Sequence, residues 1–199
     1  MSYKELYDYC QTLTPKISRE QIKKKVLEIT GSSIRIMKTT LDTEICRGYY
    51  LSGKNVEHPI VKQFGSNVIV MARGLNNCWE RFVYVKELMH LFDEPEEFTS
   101  SSVEFDRLLT DLQSLGTMEL SVQAVSDAKC LWMALAAFCP EALRKQFEQQ
   151  RNAKLVDDYS IALQLKIPTQ YVPLLFDDRY TKTLSAILGS PSLVKAATA

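Results

Sequence analysis

The sequence predicts an α+β fold in a single domain, and three observations favour it. Apolar residues recur at helical spacing up to Gly31, strand-like segments follow from Ser33 to Ala72, and helical spacing returns after that. Of the 199 residues, 46% are hydrophobic and 24% are charged. This composition is typical of a globular domain and excludes a disordered or fibrous chain.

Two helices are expected at the N-terminus. The first lies between Ser2 and Leu13, where apolar residues recur every three or four positions. The second begins at Ser18, because Gln21 follows three residues later and completes a capping box. Gly31 is expected to end that helix in a left-handed conformation.

A small sheet is expected next. The segment after Ser33 is rich in β-branched and aromatic residues and is punctuated by Gly48 and Gly53, which predicts two or three strands. The run NVIVMA, Asn67–Ala72, has the length and composition of a fully buried strand.

The remaining elements are expected to be helical. Val122–Phe138 is apolar nearly all round, which predicts a buried central helix. The other predicted helices are Cys78–Phe92, Ser102–Leu115, one opened by Pro140, Val156–Leu165 and Thr169–Phe176. We therefore expect one domain over residues 1–188, whose helical extension at about 150–188 resembles a helix-turn-helix, and a flexible tail over 189–199.

Charge and cysteine usage indicate a cytoplasmic protein without a membrane partner. The formal net charge is zero, so no overall basic field attracts nucleic acid or an anionic membrane. The longest apolar run, Cys130–Cys139, is too short to span a bilayer, and the polar N-terminus does not resemble a signal peptide. The five cysteines form no C-x-x-C pair, which favours free thiols.

One helical segment carries a chemical motif, Lys86-Glu87-Leu88-Met89-His90. In a zinc peptidase helix, two histidines at i and i+4 bind the metal and a glutamate at i+1 acts as general base. Glu87 and His90 occupy the base and second-ligand positions, whereas Lys86 stands at the first-ligand position. Taken alone, E-x-x-H is a weak signal, because an amphipathic helix can show it by chance.

The surrounding residues resemble the ImmA/IrrE family of gluzincin-like peptidases, which act in mobile-element and stress-response regulation. The matching features are the strand at Val68–Val70, the pair Arg81 and Phe82, and then Glu87, Leu88 and His90. In that family a later helix, ending before a proline, supplies the third zinc ligand from a glutamate. Counting back from Pro140 places Asp127 at that position. The resemblance covers residues 18–140 and implies a zincin-like domain.

The resemblance also implies the roles of the site residues. Glu87 stands where the family has its general base, and His90 and Asp127 stand at ligand positions if a metal is bound. A lysine ammonium has no lone pair for zinc, so we expect Lys86 to replace the metal as an internal cation between Glu87 and Asp127. Arg81 and Tyr84 are expected to support the site, with Arg81 paired to a carboxylate of the central helix.

Three functions remain open at this point. The first is a degenerate zinc-peptidase-like protein that binds a regulatory protein or peptide and needs no cofactor. The second is an active zinc metallopeptidase that cleaves a repressor or regulator, with a substitute third ligand. His58 and Cys130 are weighed for that place, but a surface histidine and a packed thiol are the favoured interpretations. The third is a DNA-binding regulator that uses the C-terminal helix pair, which is disfavoured because the second helix is poor in basic residues.

Overall fold

The computed structural model describes residues 2–13, 17–98, 104, 107–108, 110 and 121–189. These residues form a mixed α+β fold, so the predicted class is confirmed. The strands are β1 (Ile34–Thr39), β2 (Gly48–Leu51) and β3 (Asn67–Ala72). The helices are α1 (Tyr3–Gln11), α2 (Arg19–Thr30), α3 (Pro59–Phe64), α4 (Asn77–Met89), α5 (Val122–Phe138), α6 (Glu141–Asn152), α7 (Asp158–Leu165) and α8 (Arg179–Gly189).

The sheet has the strand order β1-β3-β2, so the most apolar strand lies in the middle. β1 pairs with β3 in parallel, and β2 pairs with it antiparallel. Every residue of β3 after Asn67 is buried. Helix α4 packs on β2 and β3, and α5 packs on α4 and α1. The end of α4 therefore lies between the sheet and the central helix.

Several predicted boundaries are confirmed because the local chemistry fixes them. Ser18 and Gln21 form both hydrogen bonds of the capping box, and Gly31 ends α2 at φ 61°. β3 coincides with the run NVIVMA. Helix α5 spans the predicted Val122–Phe138, and the Ser121 hydroxyl accepts a hydrogen bond from the Ala124 amide at its N-terminus.

The C-terminal helix pair differs from the prediction. Val156–Leu165 is represented by α7, but Thr169–Phe176 forms two short 3₁₀ segments on either side of Val172. The physical reason is Pro173, which has no N–H to donate to the carbonyl of Thr169 and so cannot continue an α-helix. Val172 and Leu175 are fully buried, so this segment packs against the core. The predicted helix-turn-helix is wrong.

Other differences are smaller. Helix α4 ends at Met89, and His90–Phe92 forms a 3₁₀ turn in place of its predicted last turn. Helix α3, which the sequence analysis did not predict, begins with Pro59 after His58 and ends at Gly65. The predicted helix Ser102–Leu115 falls largely outside the described residues, and residues 190–199 of the predicted tail fall outside them too.

The length and apolarity of the helices bear on membrane insertion. Within the described ranges, no single helix is both long enough and apolar enough to cross a bilayer. By length and composition only, α5 and α6 together pass the same test as a pair bent by 85°.

Gly48 is the point at which β2 packs on α4. A Cβ atom at this position would lie 2.5 Å from Val83 Cγ1 and 3.0 Å from the Val70 carbonyl oxygen. Both neighbours belong to packed elements, so no side chain larger than hydrogen fits without moving β2 away from the helix.

We predict that Gly48→Ala lowers the free energy of unfolding by about 1–3 kcal/mol, because overpacking displaces β2 or α4. Urea unfolding followed by circular dichroism measures this change. Gly189→Ala is the matched control, since a Cβ there would meet nothing within 4 Å. Equal stability of Gly48→Ala and the native chain would contradict the packing described for β2.

Candidate functional site

The site lies where the last turn of α4 meets α5. Lys86 and Glu87 belong to α4, His90 caps its C-terminus, and Asp127 lies in the first half of α5. Asn76 begins α4 by accepting a hydrogen bond from the Trp79 amide, directly after the turn that leaves β3. The structure therefore brings together the four residues to which the sequence analysis gave the central roles; those roles themselves remain predictions.

Lys86 points inward and contacts both carboxylates. Its Nζ donates to Glu87 Oε1 at 2.9 Å and also donates to Asp127 Oδ1. The exposed fractions of the side chains are 15% for Lys86, 17% for Asp127 and 2% for Glu87. One ammonium thus pairs with two carboxylates that belong to different helices, in a largely dehydrated setting.

His90 lies on the other side of the same carboxylates. Its Nε2 is 3.6 Å from Glu87 Oε2 and 3.7 Å from Asp127 Oδ1. Its Nδ1 is 2.6 Å from Asp93 Oδ2, which fixes the ring from behind. The ring also stacks on Tyr50 of β2, with centroids 5.6 Å apart.

A second layer of charge lies behind His90. Asp93 Oδ1 is 3.2 Å from Lys129 Nζ, and Lys129 also pairs with Glu97 at 2.5 Å. Opposite charges therefore alternate from Lys86 through Asp127, His90, Asp93 and Lys129. Each charged side chain in this series has a partner of opposite sign, which is the condition for burying charge at tolerable cost.

The pKa values of Lys86, Asp127 and Glu87 reflect both their burial and the charges beside them. Burial opposes the charged form of Lys86, but Asp127 and Glu87 outweigh it and raise the Lys86 pKa well above its usual range. Burial raises the pKa of Asp127, but the positive charges of Lys86 and His90 outweigh it and hold the carboxyl pKa low. At Glu87 burial prevails, so its pKa is raised although Lys86 and His90 oppose the change. Lys86 is therefore an ammonium at neutral pH.

The donor set does not fit a zinc ion. Ligand atoms of Glu87, His90 and Asp127 lie within 4.8 Å of one another. However, Lys86 already donates to the two carboxylates, so a dication there would meet an ammonium at contact distance. With Glu87 at the general-base position and Lys86 at the first-ligand position, only His90 and Asp127 are left as protein ligands, whereas zinc sites normally have three or four. Repulsion from the ammonium opposes the attraction that these two ligands offer.

A neighbouring group of possible ligands also fails the test. His90, Asp93 and Cys130 have ligand atoms within 4.8 Å of one another. Burial raises the pKa of the Cys130 thiol to about 11, and zinc needs the thiolate. Asp93 is already paired with Lys129 and His90. Cys130 is fully buried, as a packed thiol should be, and all five cysteines are free.

The two expected supporting residues lie elsewhere. Arg81 donates to the backbone carbonyls of Ile17 and Leu165 and to that of Lys166, so its expected pairing with a carboxylate of the central helix is wrong. Tyr84 is buried on another face of α4, where Arg19 lies 5.3 Å from its ring centroid. The reason is helical geometry: Tyr84 lies two positions and Arg81 five positions before Lys86, whereas residues that share a helix face are three or four positions apart.

His58 also lies outside the site. Its Nδ1 accepts a hydrogen bond from the Ile60 amide at the start of α3. Among the described residues, it belongs to neither group of possible metal ligands. The position fits the interpretation of a loop histidine before a proline.

Sequence reasoning missed Asp93, Lys129 and Tyr50. Asp93 could have been found, because it follows His90 by three residues and a ligand-type histidine normally donates to a carboxylate. Tyr50 reaches His90 from β2, and Lys129 reaches Asp93 from α5. No local pattern signals either of these contacts, since both depend on tertiary packing.

A groove opens beside Lys86, between β2 and α4, with a cavity volume of ≈ 140 Å³. A smaller cavity of ≈ 20 Å³ lies on the His90 side. The two cavities share Tyr49, Glu87, Leu108 and Asp127 in their walls, so they are neighbouring parts of one cleft. The charged cluster therefore forms the floor of a cleft whose wall includes an edge strand of the sheet.

Comparisons with known proteins find no match: no protein-family model, curated protein or solved structure is similar to this chain.

We predict that Lys86→Met lowers the free energy of unfolding by about 3–5 kcal/mol, because it leaves two buried carboxylates without their cation. The triple variant Lys86→Met, Glu87→Gln, Asp127→Asn should recover most of this loss. Lys145→Met, which removes an exposed 3.8 Å pair with Glu141, is the control and should cost less than about 1 kcal/mol. Denaturant unfolding measures all three; an unchanged stability of Lys86→Met would contradict the cation role.

A further prediction concerns pH. Burial lowers the His90 pKa, but Cys130, Asp93 and Asp127 raise it well above the ordinary 6.5. A group whose pKa is higher in the folded state than in the unfolded state stabilises the fold fully at pH values below its unfolded-state pKa. This contribution is lost as pH rises through the folded-state pKa. The stability difference between the native chain and His90→Gln should therefore be fully present at about pH 6 and shrink in alkaline buffer. Urea unfolding at several pH values measures it, and a difference that grows with pH would contradict the charge arrangement.

Proposed function

We propose that this chain is a degenerate zinc-peptidase-like protein of the ImmA/IrrE type, in which a lysine ammonium takes the place of the metal. It acts in the cytoplasm by binding a segment of a regulatory protein. The cleft that a peptidase would use for its substrate is then a binding groove. Mobile-element or stress-response regulation is the setting that the resemblance implies.

The observation that carries this proposal is the position of Lys86 Nζ. It contacts Glu87 and Asp127, the residues that correspond to the general base and a metal ligand. A lysine that has no role in a site normally extends into solvent, because burying its charge costs free energy. Here the ammonium supplies the positive charge that a metal would otherwise supply to the same carboxylates.

A second observation supports an ancestral metal site. His90 keeps a carboxylate partner, Asp93, on Nδ1, and directs Nε2 towards Glu87 and Asp127. Metal-ligating histidines show this division, in which one ring nitrogen faces the metal and the other is held by a carboxylate. The arrangement therefore supports a zincin-like origin for α4 and its flanking elements.

Binding of an extended peptide suits the shape of the cleft. β2 is an edge strand of the sheet formed by the described residues and lines the groove beside Lys86. Edge strands can pair with an added strand through backbone hydrogen bonds, while pockets receive alternate side chains. The partner is then a protein segment in β conformation.

Neither alternative function gains specific support. Hydrolysis by a zinc peptidase requires a metal-bound water beside the base, and the ammonium of Lys86 opposes metal binding at that point. DNA recognition would require a second helix after α7, where the chain forms 3₁₀ turns.

Zinc content after dialysis tests the proposal. The native chain and Lys86→Gln should retain no zinc, whereas Lys86→His should retain about one zinc per chain, because it adds the missing imidazole to His90 and Asp127. Atomic emission spectroscopy measures the amount of zinc per chain, and circular dichroism checks that each variant folds. Stoichiometric zinc in the native chain would contradict the proposal and favour the active peptidase; a folded Lys86→His without zinc would contradict the zincin-like origin.

A further inference from the structure

Two cations line the groove beside β2, and they differ in their partners. Lys86 is neutralised by Glu87 and Asp127. Arg47, just before β2, is half-buried and has no ion-pair partner within the part of the chain that the structure describes. A guanidinium that is partly removed from water and lacks an anion is a ready receptor for a carboxylate.

Arg47 is held in a fixed position. Its guanidinium carbon lies 4.1 Å from the centroid of the Trp79 ring, which covers one face of the cation. Its carbonyl accepts a hydrogen bond from the Ala72 amide at 2.9 Å, so the backbone is tied to the end of β3. The next residue is Gly48, where a Cβ atom would lie 2.5 Å from Val83 Cγ1, so β2 packs closely on α4 at this point. Binding an anion here would therefore cost little conformational entropy.

The wall beside Arg47 is aromatic. Trp79 meets Tyr171 edge to face, with centroids 5.7 Å apart, and Tyr171 stacks on Phe82 at 4.4 Å. Burial raises the pKa of Tyr171, whereas Lys86 and Arg47 oppose the rise, as expected for a hydroxyl near both cations. The groove thus offers an apolar surface next to a positive charge that no described residue pairs.

We infer that Arg47 binds the side-chain carboxylate of an aspartate or glutamate in an extended peptide, and that the aromatic wall receives an apolar side chain of the same peptide. The inference rests on the proposed function and names the class of partner. In an extended strand, residues i and i+2 face the same side, so the recognised pattern is an acidic residue and an apolar residue separated by one position. Charge complementarity selects the acid, because no described residue of the chain supplies an anion to the guanidinium.

An internal segment fits this groove better than a chain terminus. The lining continues past Arg47 to Cys46 and Ile45, and in the other direction it leads to the cavity beside His90. A peptide that follows β2 therefore extends beyond Arg47 on both sides. The carboxylate that reaches the guanidinium then belongs to a side chain and not to a C-terminus.

Selection from a random octapeptide library, with peptides acetylated and amidated, tests the inference on the full-length chain. The native chain should enrich peptides with Asp or Glu two positions from an aromatic or aliphatic residue. Arg47→Gln should weaken binding of such a peptide by about tenfold or more, because a charged hydrogen bond is lost. Arg47→Glu should shift the preference towards Lys and Arg. Arg35→Gln, an exposed arginine on β1, is the matched control and should bind as the native chain does.

The outcomes separate this inference from the function on which it depends. Enriched peptides without an acidic preference, or equal binding by a folded Arg47→Gln, would overturn the inference and leave peptide binding intact. Binding only of peptides with a free C-terminus, in a second library, would overturn it as well. Failure of the native chain to enrich any peptide would overturn the proposed function and this inference together. Thermal unfolding by circular dichroism establishes that each Arg47 variant is folded.

Discussion

Helices α4 and α5 meet through charge as well as through apolar packing, and the rest of the site depends on this junction. Lys86 from one helix contacts Asp127 from the other, while Glu87 is buried beside them. Without a cation, the two carboxylates would repel each other in a dehydrated setting, and one would have to take up a proton. The ammonium thus allows the two helices to bring these carboxylates together, and with them the floor of the cleft.

The same junction bears on the proposal that the cleft serves for binding. Its floor consists of charges that are already paired, so they contribute little attraction for an incoming ligand. Its wall contains β2, an aromatic surface and the guanidinium of Arg47, which has no ion-pair partner among the described residues. Under the proposed function, recognition comes from the wall, whereas the floor maintains the shape of the groove.

The sequence predicted the class of fold, most helix boundaries and the convergence of Lys86, Glu87, His90 and Asp127. These succeeded because capping residues, apolar periodicity and the spacing before Pro140 are local signals. It failed at Thr169–Phe176, where Pro173 outweighs helical periodicity, and at Arg81, whose backbone acceptors lie on segments distant in sequence. Tyr50, Lys129 and Arg47 acquire their importance only through tertiary contacts, which a single sequence does not encode in any short pattern.

The direction of α4 has a consequence for the cation that it carries. Aligned peptide dipoles place partial negative charge at a helix C-terminus, and both Lys86 and His90 lie in the final turn or at the cap. A positive side chain is therefore favoured there by the backbone itself, whatever its neighbours. Under the proposed zincin-like origin, the ammonium takes over the positive charge of the lost metal at the electrostatically appropriate end of the helix. The backbone dipole then stabilises the side chain as it would have stabilised the metal.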